Sequence, residues 1–154
     1  MADNKPIRIL IIHGPNLDLL GQRETDIYGH KSLAEINESI ARCAKTLEAE
    51  VDFFQSSSEG AIVQKIGEAR TEFQGIVINP AAYTHTSVAI RDAIAAINLP
   101  TVEVHLSNVD AREEFRRHSY LAPVCLGRIS GFGANSYHLG LHGLVRHLRK
   151  DRHT

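Results

Sequence analysis

The chain has 154 residues, 43% of them hydrophobic, and a formal net charge of −1 with its histidines neutral. That length suits a single domain, 1–154, able to bury a substantial core without metal or disulfide staples. Interspersed charges of both signs leave no electrostatic footprint for nucleic acid or an anionic membrane, and no apolar stretch is long enough to span a bilayer.

Met1–Pro6 lacks an apolar leader segment, so the expected location is the cytoplasm. Cys43 and Cys125 have neither metal nor redox spacing and lie among apolar neighbours. Both are expected as buried, inert thiols.

Apolar runs alternate with helix-period segments, the signature of βαβ units around a parallel sheet. The first predicted strand is Ile7–Ile12, followed by a long polar loop. Ser32 and Glu35 then form a capping box for a helix whose apolar face is Leu33, Ile36, Ile40, Cys43, Ala44 and Leu47. Val51–Phe54 is a short second strand, and Ser56 with Glu59 predicts another capping box before the stripe Ile62, Ile66, Ala69 and Phe73. Ile76–Ile78 is the third strand, with a helix through Val88–Ile97 that Leu99-Pro100 ends. Val102–His105 is the fourth strand, Asp110–His118 a charged segment, Val124–Ile129 the fifth strand, and about Ser136 to Lys150 the last helix. The predicted fold is α/β, a doubly wound five-stranded parallel sheet of flavodoxin-like order 2-1-3-4-5. Its carboxyl ends share one edge, so the polar residues ending strands one, three and four converge on one crevice.

The loop 19–29 is long for a compact domain and has glycines at Gly21 and Gly29, as a closing lid requires. It carries one cation, Arg23, and one phenol, Tyr28. A free phenol titrates near pH 10 and is a poor base at neutrality, but a nearby guanidinium favours the phenolate. A surface loop whose tyrosine merely packs on a neighbour fits these residues equally well.

At the other strand ends, Asn79-Pro80 leads through Tyr83-Thr84-His85-Thr86-Ser87 into a helix. Its backbone N–H groups and hydroxyls suit an anionic or hydroxyl-rich ligand. Alternation puts Glu103 and His105 on one face of strand four, where the carboxylate can hold the imidazole for proton transfer. Arg112 and Arg116 are one helical turn apart, a spacing that fits either two guanidiniums on one carboxylate or a solvated charged helix. His138 and His142 have metal spacing but no acidic third ligand nearby, so a solvated face is expected. None of the five lysines ends a strand, which argues against a Schiff base. Neither a phosphate-binding P-loop nor a flavin phosphate loop follows strand one.

Together the segments resemble the type II 3-dehydroquinate dehydratases. The resemblance rests on Gly14-Pro15-Asn16-Leu17, Leu20-Gly21-x-Arg23-Glu24-x-x-x-Tyr28-Gly29 and Gln55-Ser56-x-x-Glu59-Gly60. Asn79-Pro80-x-Ala82-x-Thr84-His85-Thr86-Ser87, Glu103-Val104-His105-Leu106-Ser107-Asn108 and Phe115-Arg116 complete it. Thr25 stands where the family often has proline, and Ala81 where it often has glycine. The resemblance implies Tyr28 as the base, Arg23 as the partner of its phenolate, His105 as the acid, and Asn16 as the holder of a water at the enolate. It also implies that Asn79, His85, Leu106, Ser107 and Arg116 contact substrate, with Arg112 in the same mobile region and Asp92 supplied by a neighbouring subunit. The implied reaction converts 3-dehydroquinate to 3-dehydroshikimate without metal or organic cofactor, in a homododecamer of four trimers. On the residues alone, a metal-dependent hydrolase using His85 and His105, and a flavin- or nucleotide-binding module, remain the competing classes.

Overall fold

The computed structural model describes residues 5–152. The first four residues of the stretch expected to carry no apolar leader, Met1–Asn4, lie outside the described residues. Five parallel strands form one sheet: β1 (Ile7–His13), β2 (Ala49–Gln55), β3 (Gly75–Asn79), β4 (Thr101–His105) and β5 (Gly127–Ser130). Their order is β2-β1-β3-β4-β5, the predicted doubly wound arrangement.

Among the described residues five α-helices accompany the sheet: α1 (Thr25–Tyr28), a single turn, α2 (Leu33–Thr46), α3 (Glu59–Ala69), α4 (Val88–Ile97) and α5 (Asn135–Arg152). Strand alternation divides the core between the two sheet faces. Ile7, Ile9 and Ile11 of β1, with Val77, Val102 and Val104, pack with Ile36 and Ile40 of α2 and Leu141 and Leu144 of α5. Leu10 and Ile12, with Ile76 and Ile78, pack with Ile62 and Ile66 of α3 and Ile90 and Ile94 of α4. Central strands covered on both faces must be apolar along their buried length, which is why Ile9–Ile12 and Ile76–Ile78 read as unbroken hydrophobic runs.

Several boundaries differ from the sequence expectation. Helix α3 is capped by Ser58, which accepts from Ala61 N at 3.2 Å, rather than by Ser56. Ser56 is held back at the sheet because its N–H donates to His13 O at 3.0 Å. Phe73 lies beyond the end of α3 yet is buried in the same core. Val124 falls in a 3-10 turn, Ala122–Val124, behind a proline that cannot donate to a ladder, and β5 starts later, at Gly127. The charged segment is two separate 3-10 turns, Val109–Ala111 and Glu114–Arg117, with Arg112 extended between them. Arg112 and Arg116 therefore do not share one helical face.

The two thiols are half-buried, and burial first raises both, with Glu103 helping to push Cys125 up to about 12. His138 accepts or donates a 2.7 Å hydrogen bond with Ser39 on α2, so it is not on the fully solvated face expected for it. Among the described residues, no helix is long and apolar enough to cross a membrane, and no group of three His, Cys, Asp or Glu side chains could hold a metal ion.

Candidate active site

The carboxyl ends of β1, β3 and β4 form the floor of a cavity of about 670 Å³, part of it open to solvent. Parallel register places His13 beside Asn79 and Ile78 beside Glu103, so the loops leaving these strands start side by side. The pairing continues one step past the sheet, where Gly14 N donates to Asn79 O at 2.8 Å. A side chain at position 14 would lie 2.6 Å from Pro80 O, so only glycine permits this approach.

Asn16, Arg23, Tyr28, Asn79, His85, His105, Leu106, Ser107, Arg112 and Arg116 all line this cavity. The cavity thus gathers residues from the strand ends, the 19–29 loop and the segment after β4. Three guanidiniums stand in its wall and no carboxylate does. Such a concentration of positive charge in a concave site favours an anionic small molecule.

Glu103 is fully buried behind His105 rather than in the cavity wall. Its Oε2 accepts from His105 Nε2 at 2.5 Å and from Thr84 Oγ1 at 2.7 Å, while Oε1 accepts from Ser119 Oγ at 2.8 Å. Burial works to raise its pKa, but the His105 bond and charge, with Thr84 and Ser119, outweigh it and hold Glu103 below the usual carboxylate range. The Glu103 bond occupies Nε2, so Nδ1 is the nitrogen left for the cavity that His105 lines. A fixed carboxylate that orients an imidazole is the arrangement of an acid–base catalyst.

His85 packs parallel to His105 with ring centroids 6.5 Å apart, and its Nδ1 bonds to His118 O at 2.8 Å. Burial lowers its pKa most; the His118 bond opposes this, and His105, Arg116 and Arg128 reinforce it. Asn16 adopts a left-handed backbone conformation, φ 67°, which asparagine tolerates better than most residues. Arg112 Nη1 donates to Ser107 Oγ at 3.3 Å, and Arg116 Nε bonds to Glu113.

The 19–29 loop has a glycine at positive φ near each end. Gly21 and Gly29 have φ of +88° and +86°, in the left-handed region that favours glycine. Between them α1 presents Tyr28 to the cavity, with the guanidiniums of Arg23 and Arg112 lying 4.6 and 5.2 Å from its ring centroid. Asp92, by contrast, does not reach the cavity of its own chain: it is exposed on α4 and paired with Arg91 at 3.1 Å.

Sequence reasoning missed the surroundings of Glu103. Thr84, Ser119 and Arg128 converge on it from three separate segments. The one available signal was Arg128, a lone cation inside the apolar run predicted as strand five. Register sets it directly opposite Glu103, with Nε 3.5 Å from Oε2.

Fold and site together define a doubly wound α/β protein whose cavity sets a carboxylate-held imidazole among three guanidiniums. The sequence profile described as Dehydroquinase class II matches residues 7–145. The chain belongs to the class II dehydroquinase family. It is 61% identical to a 3-dehydroquinate dehydratase of Nostoc sp. over 94% of this chain and 99% of that protein. It is 55% identical to one of Geotalea daltonii over 94% of this chain and 100% of that one. The crystal structure of the type II dehydroquinase of Butyrivibrio crossotus superposes with a TM-score of 0.88 at 47% identity, covering 90% of this chain and 97% of that one.

Proposed function

We propose that this chain dehydrates 3-dehydroquinate to 3-dehydroshikimate by anti elimination through an enolate. The observation that carries the proposal is the cavity itself: Tyr28 and His105 share it with three guanidiniums and no carboxylate. An anionic β-hydroxyketone needs charge recognition, a base for the proton α to the ketone, and an acid for the departing hydroxyl.

In this reading the Tyr28 phenolate, favoured by Arg23, removes the C2 proton. The electrons pass into an enolate, stabilised by a water held on Asn16. The enolate then collapses to form the new double bond. The C1–O bond breaks as His105 supplies the proton that makes the leaving hydroxyl water. One proton must then return from the phenol to the imidazole, by way of solvent, to reset the pair. Leu106 and Ser107 hold the substrate carboxylate, Asn79 and His85 contact its hydroxyls, and Arg116 and Arg112 neutralise its charge.

No step in this scheme calls for a metal or an organic cofactor. Asp92 would act in a neighbouring subunit of a trimer, ordering Arg116 there, and four such trimers would form a dodecamer. Its exposure and its position away from its own cavity are compatible with that use. The scheme serves aromatic biosynthesis and quinate breakdown alike, since both pass through this dehydration.

The test is direct: purified protein mixed with 3-dehydroquinate should generate the ultraviolet absorbance of the conjugated enone. No absorbance change at micromolar enzyme would overturn the proposal.

A further inference from the structure

A chain of buried polar groups runs from the cavity to helix α2, and none of its inner members belongs to the chemistry above. Asn79 Nδ2 lies 3.0 Å from Tyr137 Oη, Tyr137 Oη lies 2.7 Å from His13 Nδ1, and His13 Nε2 lies 2.8 Å from Asn37 Oδ1. Tyr137 is 1% exposed and His13 fully buried, so the donors and acceptors of these two must be satisfied within the protein, while Asn37 at the far end is half-buried.

The direction of the chain follows from one group that cannot turn. Ala81 N is a backbone donor, and it bonds Asn79 Oδ1 at 3.1 Å. The oxygen of Asn79 is thereby committed, and the amide must offer its nitrogen to Tyr137. Tyr137 Oη accepts that bond, and its own proton needs an acceptor. His13 Nδ1 is the acceptor in reach, so it carries no proton. Nε2 is then the protonated nitrogen, and Asn37 must present its oxygen. The opposite direction would leave the Tyr137 hydroxyl proton without an acceptor in a water-free core, a costly arrangement. Burial lowers the pKa of His13 to about 4, against a smaller opposing pull from Asn37, which keeps the ring neutral as this order requires. Its ring neighbours, Phe53 and Tyr137, are uncharged.

We infer that Tyr137 is a positioning residue for Asn79, with His13 and Asn37 fixing its hydroxyl so that the Asn79 amide meets the substrate in one orientation only. With Oδ1 turned to Ala81 and one N–H given to Tyr137, Asn79 keeps one N–H for the cavity it lines. Without the relay, Asn79 would be held only at Oδ1, by Ala81 N, and its N–H groups would lose their fixed direction toward the substrate. The inference rests on the proposed reading of Asn79 as a substrate contact.

The test combines kinetics with a reading of the histidine itself. Tyr137→Phe should raise KM for 3-dehydroquinate about tenfold, the equivalent of one lost hydrogen bond, with kcat changed much less. Asn79→Ala should do at least as much, and Tyr137→Phe added to Asn79→Ala should have no further effect on KM. Multiplicative effects in the double variant, or Tyr137→Phe that melts earlier with KM unaltered, would overturn the inference. His13→Leu, which fills the space but accepts nothing, should reproduce the KM increase and guard against misfolding of the tyrosine variant. The Raman difference between wild type and His13→Leu should show the band of an Nε2-protonated imidazole. The Nδ1-protonated band would refute the relay while leaving the substrate role of Asn79 intact. An Asn79→Ala variant with wild-type KM would refute that role, and with it the positioning by Tyr137, whatever the Raman band shows.

Discussion

The Arg23 guanidinium lies over the face of the Tyr28 ring, 4.6 Å from its centroid, and its Nη2 is 3.5 Å from Glu24 Oε2. A cation over a ring face is attracted by the aromatic quadrupole. A cation beside the oxygen would stabilise the phenolate more directly. Gly21 and Gly29, both at positive φ, flank this pair.

Tyr28→Phe removes the proposed base and almost no volume. We predict that kcat falls by at least about 10²-fold while KM stays within a few-fold, the mark of a group acting in proton transfer. The matching change at exposed Tyr120 should leave both constants near wild type. A sizeable residual kcat in Tyr28→Phe would remove it from the base role.

Arg23→Ala should lower kcat and also shift the pH at which activity rises toward higher values, because the phenolate loses a cation. Full pH–rate curves separate this from a pure binding role. A uniform loss at every pH would leave Arg23 as a binding residue.

Glu103→Gln keeps the shape of the side chain but loses the charge on which His105, Thr84, Ser119 and Arg128 converge. The expected outcome is a kcat lowered by roughly two orders of magnitude. Stability should fall by about 3 kcal/mol as well, since Arg128 is left without its counter-charge. Steady-state kinetics and a thermal melt read the two effects separately.

His13 sets a pH dependence of stability. Its folded pKa of about 4 lies below the unfolded 6.5, so between these values the unfolded chain binds more protons. The stability from keeping the ring neutral is complete above the unfolded value and is lost as pH falls through the folded one. At most about 3 kcal/mol is at stake. His85 and His138 are also lowered, burial being the first cause in each, and add to the same trend. Urea midpoints at about pH 7 and about pH 5 should differ more in wild type than in His13→Leu.

Ala81 occupies the left-handed region, with φ of 51°. That conformation costs an alanine about 1–2 kcal/mol, whereas glycine adopts it freely. Glycine gives back part of that gain through its looser unfolded chain. We predict that Ala81→Gly stabilises the protein by about 0.5–1 kcal/mol without changing kcat, as chemical denaturation and an assay would show. A lower melting temperature would mean that the positive φ is not strained.

The parts legible in the sequence were those whose signals are local. Apolar runs that stop at Asn79 and His105 announced the strand ends, and the period-two relation of Glu103 to His105 announced their contact. The glycines at positions 21 and 29 marked the two positive-φ turns around Arg23 and Tyr28. Contacts made across the fold carried no such local signal. Nothing near Ser119 points to Glu103, and nothing near Tyr137 points to His13, because each pair meets only after the sheet assembles. Ser58 overtook Ser56 as the cap of α3 for a related reason: the backbone of Ser56 was already taken by β1.

The sheet also acts as a ruler. Neighbouring strands in any sheet lie about 4.8 Å apart. With β1, β3 and β4 adjacent in that order, two such steps, or about 10 Å, separate the strand that ends at His13 from the one that ends at His105. No side-chain substitution can alter that spacing, so the loops that leave β1 and β4 start a fixed distance apart whatever residues they carry.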